Sequence, residues 1–476
     1  FRAVPNAGWF AYTPLSGLEF SPDLALDFWV LGLGVAEVAA IAAGIEIIIG
    51  VLKMRAPGMT LSRMPLFAWA VLVMAFMILF AFTTLIIASL LLELDRGFGT
   101  QFFNPQRGGS SLLWQHLFWI FGHPEVYIQF VPATGVVSMI VATFARHRIV
   151  GYTWQVGALV AIGFLSFSLW AHHMFAVGLP TLVLSFFAAA SMVIAIPAGV
   201  QFVSWLATIW AGRPVWKTPF LFVVGFLVIF VIGGITGVMV AAPPFDLQSH
   251  DTHFIVGHLH YVLIGGVVFP IFAGVYYWWP KFTGKLLDER LGRWNFWLLF
   301  AGTNVTFFPM HIVGLLGMPR RIYTYSGDQG WDLWNAMSTV GAFMIATSIL
   351  IFIINVVLSM RRGEPAGNDP WDGRTLEWTI PSPPPHYNFE KIPTVHARDP
   401  FWHEKNAEDA EGRPIPVVAG AANGHEEEGH DEHGGHGIHM PSPSYFPVIA
   451  AIGLPIMSLG FIYDYALVAV GAVILF

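Results

Sequence analysis

The chain has 476 residues, 55% of them hydrophobic and only 11% charged, with 41 Phe, 19 Trp and no Cys. Soluble domains carry about a quarter charged residues, so a water-facing globule is excluded, and a net charge of −7 excludes a nucleic-acid binder that relies on a basic surface. Without cysteine there are no disulfides, thiolate metal sites or thiol nucleophiles, and the eighteen histidines become the obvious metal ligands.

In chain order, residues 1–23 read as an outer loop segment, with Pro5, Asn6 and Gly8 breaking regular structure. Nine apolar runs follow, at 24–52, 64–94, 111–145, 153–171, 181–211, 218–242, 254–280, 294–317 and 333–360. Each reaches the ~20 residues that a helix needs to cross a bilayer, and the third is long enough to tilt or kink. They are too long for barrel strands and lack strand alternation, so the fold class is an all-α polytopic membrane protein with its nine-helix core at 24–361. Residues 362–443 are polar and rich in Pro, Gly and His, and read as a tail and linker. Residues 444–476 turn apolar again, with a span at about 446–462 and the start of another.

Orientation follows from the loop cations. One set of loops holds Lys53, Arg55, Arg63, Arg146, Arg148, Arg213, Lys217, Lys281, Lys285, Arg290 and Arg293; the alternate set holds Arg96, Arg107, Arg320 and Arg321. Eleven against four places the first set, and the tail after Arg361 and Arg362, in the cytoplasm.

Ionisable residues inside spans cost at least ~2.5 kcal/mol each and therefore mark function. The third span carries His123-Pro124-Glu125-Val126-Tyr127. His123 and Tyr127 are four apart and share a helix face, Glu125 lies on another, and Pro124 is expected to kink the helix. Further on, His172 and His173 stand where a span meets an uncharged loop. Adjacent histidines reach one metal only from irregular backbone, such as a helix end. With His123 they make three imidazoles, a set that suits copper or zinc and leaves a position open. Helix-bridging hydrogen bonds are the bland alternative for each group alone. His258 and His260 project about 200° apart on a helix and so ligate different metals, as two electron-transfer cofactors would require. Haem iron accepts such an axial histidine. His250 and Asp251, just before that span, could bind a hard cation or hydrogen-bond haem propionates. Arg320 and Arg321, on the same side, suit bidentate carboxylate binding, with lipid headgroups as the alternative.

With these motifs the chain resembles subunit I of the haem–copper oxygen reductases, most closely the cytochrome c oxidase branch. The likeness rests on Ala7-Gly8-Trp9, Gln115–Trp119, His123–Tyr127, Trp170–Met174, His250–His260, Gly317–Arg321 and Thr375–Trp378 followed by Pro381-Ser382-Pro383-Pro384-Pro385. The resemblance implies copper on His123, His172 and His173, with His123 joined covalently to Tyr127. It implies a high-spin haem on His258 and a low-spin haem on His260, both expected to be heme A. Glu125 would end a proton route, His250 and Asp251 would hold magnesium, and Arg320, Arg321, Trp9 and Asp246 would hold haem propionates. The implied partners are a dicopper subunit II that admits electrons, subunit III-type chains, and cytochrome c as donor, in a bacterial plasma membrane.

Three departures from the family pattern alter what is expected. The nine core spans correspond to the fourth through twelfth of the family's twelve, so the first three spans and the second ligand of the low-spin haem are expected from a further segment or chain. Gln201 stands where the family has a channel lysine, although Ser138 in a neighbouring span is kept. The first span has Ala39-Ala40 where hydroxyls are expected, yet carries Glu37 and Glu46, which with Thr83 and Thr84 would rebuild a route. Histidines 425, 430, 433, 436 and 439 read as a flexible linker, with copper delivery as the sharper alternative. Residues from His439 onward resemble a fused accessory subunit. The competing functions are a quinol oxidase with the same metal motifs and, in a different class, a proton-coupled transporter whose histidines relay protons.

Overall fold

A computed structural model describes residues 5, 7–408, 414–416 and 444–476. The histidine-rich linker, including His425, His430, His433, His436 and His439, lies outside the described residues.

Helices dominate because long runs of Leu, Ile, Val, Phe and Ala can satisfy their backbone groups in lipid only by internal hydrogen bonds. In order they are α1 (Ala25–Lys53), α2 (Leu66–Phe98), α3 (Ser111–Phe144), α4 (Tyr152–Leu165), α5 (Thr181–Val193), α6 (Ala195–Ala211), α7 (Thr218–Val240), α8 (Pro243–Ser249), α9 (His253–His260), α10 (Phe269–Thr283), α11 (Glu289–Leu315), α12 (Asp332–Arg362), α13 (Pro400–Lys405), α14 (Phe446–Tyr463) and α15 (Tyr465–Leu475). Tight turns carry α4 on to Val177, and a π-helical stretch, Tyr261–Val268, joins α9 to α10. Strands β1 (Asn406–Glu408) and β2 (Pro414–Pro416) make a minor ribbon. Among the described residues ten spans are long and apolar enough to cross a membrane, nine in the core and α14. α15, at 11 residues, is shorter.

α3 runs unbroken through both Pro124 and Pro132. A proline removes one backbone donor, but the turns on either side of it persist in a helix of 34 residues. The fifth span, by contrast, divides at Ile194 into α5 and α6.

The described residues form two compact units. The larger comprises residues 44–78 and 122–415. Its core is aromatic, with Phe144, Phe220, Phe222, Phe226, Phe269, Tyr277 and Trp378 fully or almost fully buried. α11 and α12 are tied by Asn295, whose Nδ2 donates to Ser348 Oγ at 2.8 Å while that hydroxyl donates back to the Asn295 carbonyl at 2.7 Å. Gly314 lets α11 meet the start of α9 backbone to backbone, because a Cβ there would strike Phe254 N. Residues 363–405 strap back over one end of this unit. Lys405 pairs with Asp369 at 2.7 Å and Asp372 at 2.8 Å, and Arg374 pairs with Asp399 at 2.8 Å.

The smaller unit comprises residues 1–43, 79–121 and 416–476. Arg96 on α2 is its anchor. Its guanidinium donates to both carboxylate oxygens of Asp27, at 2.8 and 2.7 Å, and to the carbonyls of Ser16, Ser21 and Asp23. A residue counted by sequence among the outer-loop charges is therefore buried and spent on holding the loop before α1. α14 and α15 form a close hairpin, in which a Cβ on Gly471 would strike Met457 N. Asp464 caps α15 through the N–H of Ala466 at 2.8 Å.

Candidate metal centre and haem ligands

The backbone of the larger unit converges three imidazoles. α3 presents His123, while His172 and His173 come from the tight turns after α4, where Met174 leaves helical geometry. That irregularity lets two adjacent histidines face one point. One ligand nitrogen from each lies within 4.8 Å of the others, and this is the one such group of three among the described residues. His123 Nδ1 is 3.2 Å from His173 Nε2. Nitrogens bound at about 2.0 Å to one ion sit roughly 3.3–4 Å apart, so small ring rotations suffice to share a metal.

The donor set fits a metal by a second criterion. His172 Nδ1 is 2.7 Å from Ser191 Oγ, and that hydroxyl donates to the Phe187 carbonyl at 2.6 Å. Ser191 must then accept from Nδ1–H, which fixes the tautomer and leaves the Nε2 lone pair for a metal. Sequence reading missed Ser191. Its partner is 19 residues away, and a lone serine on a lipid-type helix carries no local signal. Tyr127 lies beside His123, with ring centroids 4.8 Å apart. His123 Nε2 is buried and has no hydrogen-bond partner. Glu125, on another face, accepts from Gln129 Nε2 at 3.3 Å.

On α9, His258 Nδ1 lies 3.0 Å from Thr236 Oγ1, whose proton goes to the Gly233 carbonyl at 2.9 Å. His260 Nδ1 faces the Val256 carbonyl at 2.8 Å. In each histidine Nδ1 carries the proton and Nε2 remains for a metal, which is the form an axial haem ligand requires. His260 lies flat on Phe307 at 4.3 Å and 10°. His258 is near enough to His172 and His173 for charge on one to be felt by the others. Thr236 and Phe307 were also silent in the sequence.

The other predicted residues fall as follows. Residues 250–253 zip against 318–321: His253 N donates to Met318 O at 2.9 Å and Arg320 N to Asp251 O at 2.8 Å. The Asp251 carboxylate lies 3.4 Å from Arg320, 3.7 Å from Arg321 and 3.9 Å from His250. Asp246, buried one helical turn before His250, has its carboxyl pushed up to about 6 by burial and, less, by Asp251. Trp9, in the smaller unit, is half exposed against Phe118 and Trp119. Ser138 Oγ donates to the Thr134 carbonyl at 2.8 Å and accepts from Trp205 Nε1 at 2.9 Å. Gln201 is buried, donating to Thr134 Oγ1 at 3.4 Å. Glu46 is exposed and Glu37 buried. Thr83 and Thr84 each give their hydroxyl proton to a carbonyl of their own helix.

The profile of the cytochrome c and quinol oxidase polypeptide I family matches residues 1–344. The chain belongs to this family. It is 47% identical over 466 residues to cytochrome c oxidase subunit 1 of Bacillus subtilis (strain 168), covering 97% of this chain and 72% of that one. Quinol oxidase subunit 1 of Bacillus spizizenii (strain ATCC 23059 / NRRL B-14472 / W23) is 44% identical over 464 residues, covering 97% and 69%. A solved heme-copper terminal oxidase dimer shares the fold, with TM-score 0.55 and 21% identity over 63% of this chain and 57% of that one. The chain is thus a haem–copper oxidase subunit I and an oxidoreductase, and its all-α polytopic architecture is as expected. Membership removes the transporter alternative. The three-imidazole group and the two free Nε2 atoms on α9 fit the copper and haems that the family implies.

Proposed function

We propose that this oxidase subunit reduces dioxygen to water with electrons from cytochrome c and protons from the cytoplasmic side. The observation that carries the reading is the convergence of His123, His172 and His173 beside Tyr127, with His258 near them. Copper on the three imidazoles and iron on His258 would together supply most of the electrons that dioxygen requires. Neutral imidazoles, unlike thiolates, keep the copper potential high. The chain's own contribution is placement and protons. Ser191 and Thr236 hold His172 and His258 in the ligating tautomer. The Tyr127 hydroxyl, beside His123, would hold a proton and an electron close to the oxygen site. Glu125 would hold a proton at the inner end of a supply route. The haems would be heme A, with His260 one of two axial ligands of the low-spin haem.

Arg320 and Arg321, with Asp246, would clamp haem propionates. His250 and Asp251 would take magnesium at the boundary with a dicopper subunit II. Subunit III-type chains complete the assembly in a bacterial plasma membrane, with residues 362–443 in the cytoplasm. A quinol donor is the second reading, favoured by the 44% identical quinol oxidase subunit. Oxygen uptake with reduced cytochrome c against a quinol decides between them. The core reading is tested by His172→Ala in the purified complex. One copper per complex should be lost by elemental analysis while both haems stay, and unchanged copper would refute the site.

A further inference from the structure

A cavity of about 140 Å³ lies between the strap and the loop that joins α3 to α4. Arg148 of that loop lines it together with Arg398, Asp399, Trp402 and His403 of the strap. Arg148, Arg398 and His403 are exposed, whereas Trp402 is only 2% exposed. The cavity thus grades from a cationic mouth to a buried indole.

The lining is built for an anion. Trp402 Nε1 is buried and has no hydrogen-bond partner. An indole N–H can only donate, so the group that satisfies it is an acceptor. Arg398 is already oriented. Its Nε donates to the Ser62 carbonyl at 3.2 Å, and its guanidinium carbon lies 3.6 Å over the Tyr152 ring. A guanidinium held by those two contacts loses little freedom when its amino groups take a ligand, and its planar fork matches the oxygens of a phosphate. Asp399 carries the opposite sign, but its carboxylate is paired at 2.8 Å with Arg374, whose side chain is 3% exposed. With two arginines against one carboxylate, the lining is net positive.

Position narrows the anion. The flanking spans end at Phe144 and begin at Tyr152, so the loop between them stands at the depth of the bilayer's headgroups. Val150 N donates to Thr208 Oγ1 at 2.9 Å, which brings the end of α6 to the same level. Trp154 and Trp210, beside these ends, are exposed as interfacial tryptophans are. We infer that the cavity is a phosphate-binding site. Arg148 and Arg398 meet the charge, and Trp402 Nε1–H donates to one oxygen. At headgroup depth an anionic phospholipid supplies the phosphate, and the same donors would take free phosphate. A ligand there ties the strap to the loop between α3 and α4.

The test uses the purified complex, stripped of lipid in detergent and followed by native mass spectrometry. The probes are phosphatidylglycerol, diacylglycerol with the same chains but no phosphate, and inorganic phosphate. The unsubstituted complex should hold one equivalent of phosphatidylglycerol more firmly than any diacylglycerol. Trp402→Phe keeps the ring and removes only the donor. It should weaken that equivalent by about tenfold, the loss expected for one hydrogen bond to a charged group, with the helical circular dichroism unchanged. Arg398→Gln and Arg148→Gln should weaken it at least as much. Displacement of the lipid by inorganic phosphate supports a site open to both sources, and retention against phosphate supports the lipid as the source. Diacylglycerol held as firmly as phosphatidylglycerol would overturn the inference. So would binding that is unchanged in Trp402→Phe and Arg148→Gln, or no binding of either phosphate probe. Should Arg398→Gln fail to assemble, the other two variants decide on the same outcomes.

Discussion

A metal site is set as much by the atoms that orient its ligands as by the ligands. Ser191 accepts the Nδ1 proton of His172 because its own proton is spent on Phe187 O. Ser191→Ala frees the ring to rotate and to change tautomer. Copper affinity should fall by about 10–100-fold, the usual cost of losing such a partner, measured as copper per haem after dialysis against a graded chelator. Asp246 gives a pH signature. Its folded pKa of about 6 is above the ordinary value of 3.8, so the folded chain binds its proton more tightly than the unfolded chain does. The stability this confers is complete below pH 3.8 and is lost as pH rises through about 6. Thermal unfolding in detergent should show a fall of roughly 2–3 kcal/mol across that window, and Asp246→Asn should flatten it.

Among the elements, the buried clamp of Arg96 and Asp27 joins α2 to the loop before α1. Arg96→Met leaves the Asp27 carboxylate buried without its cation and should cost about 3–5 kcal/mol. The double variant with Asp27→Leu should recover much of it, because no charge is then stranded. Denaturation of the two side by side measures the difference. The sequence disclosed Arg96 only as a loop cation, since its partners Ser16, Ser21 and Asp27 lie 69–80 residues away. The spans themselves were legible because lipid demands long apolar runs, and the converging histidines because polar groups in such runs are costly. The break at Ile194 was not legible, because no local residue pattern marks it. Ser191, Thr236 and Phe307 stayed hidden for the same reason: each has an ordinary identity and acquires meaning only from a distant partner.

At the scale of the whole molecule, the proposal that the strap lies inside the cell rests on eleven loop cations against four. Protease added to sealed right-side-out vesicles should spare residues 362–443, and protease added to inverted vesicles should cut them. The reverse pattern would contradict that orientation. The central claim is that three imidazoles and His258 hold a copper and a haem together as one oxygen-reducing site. The most direct measurement is the optical spectrum of the purified complex reduced with dithionite, with and without carbon monoxide. The account predicts one haem band that shifts with CO, from the iron on His258, beside one that does not, from the iron on His260. A spectrum with no haem, or with no band that responds to CO, would contradict it.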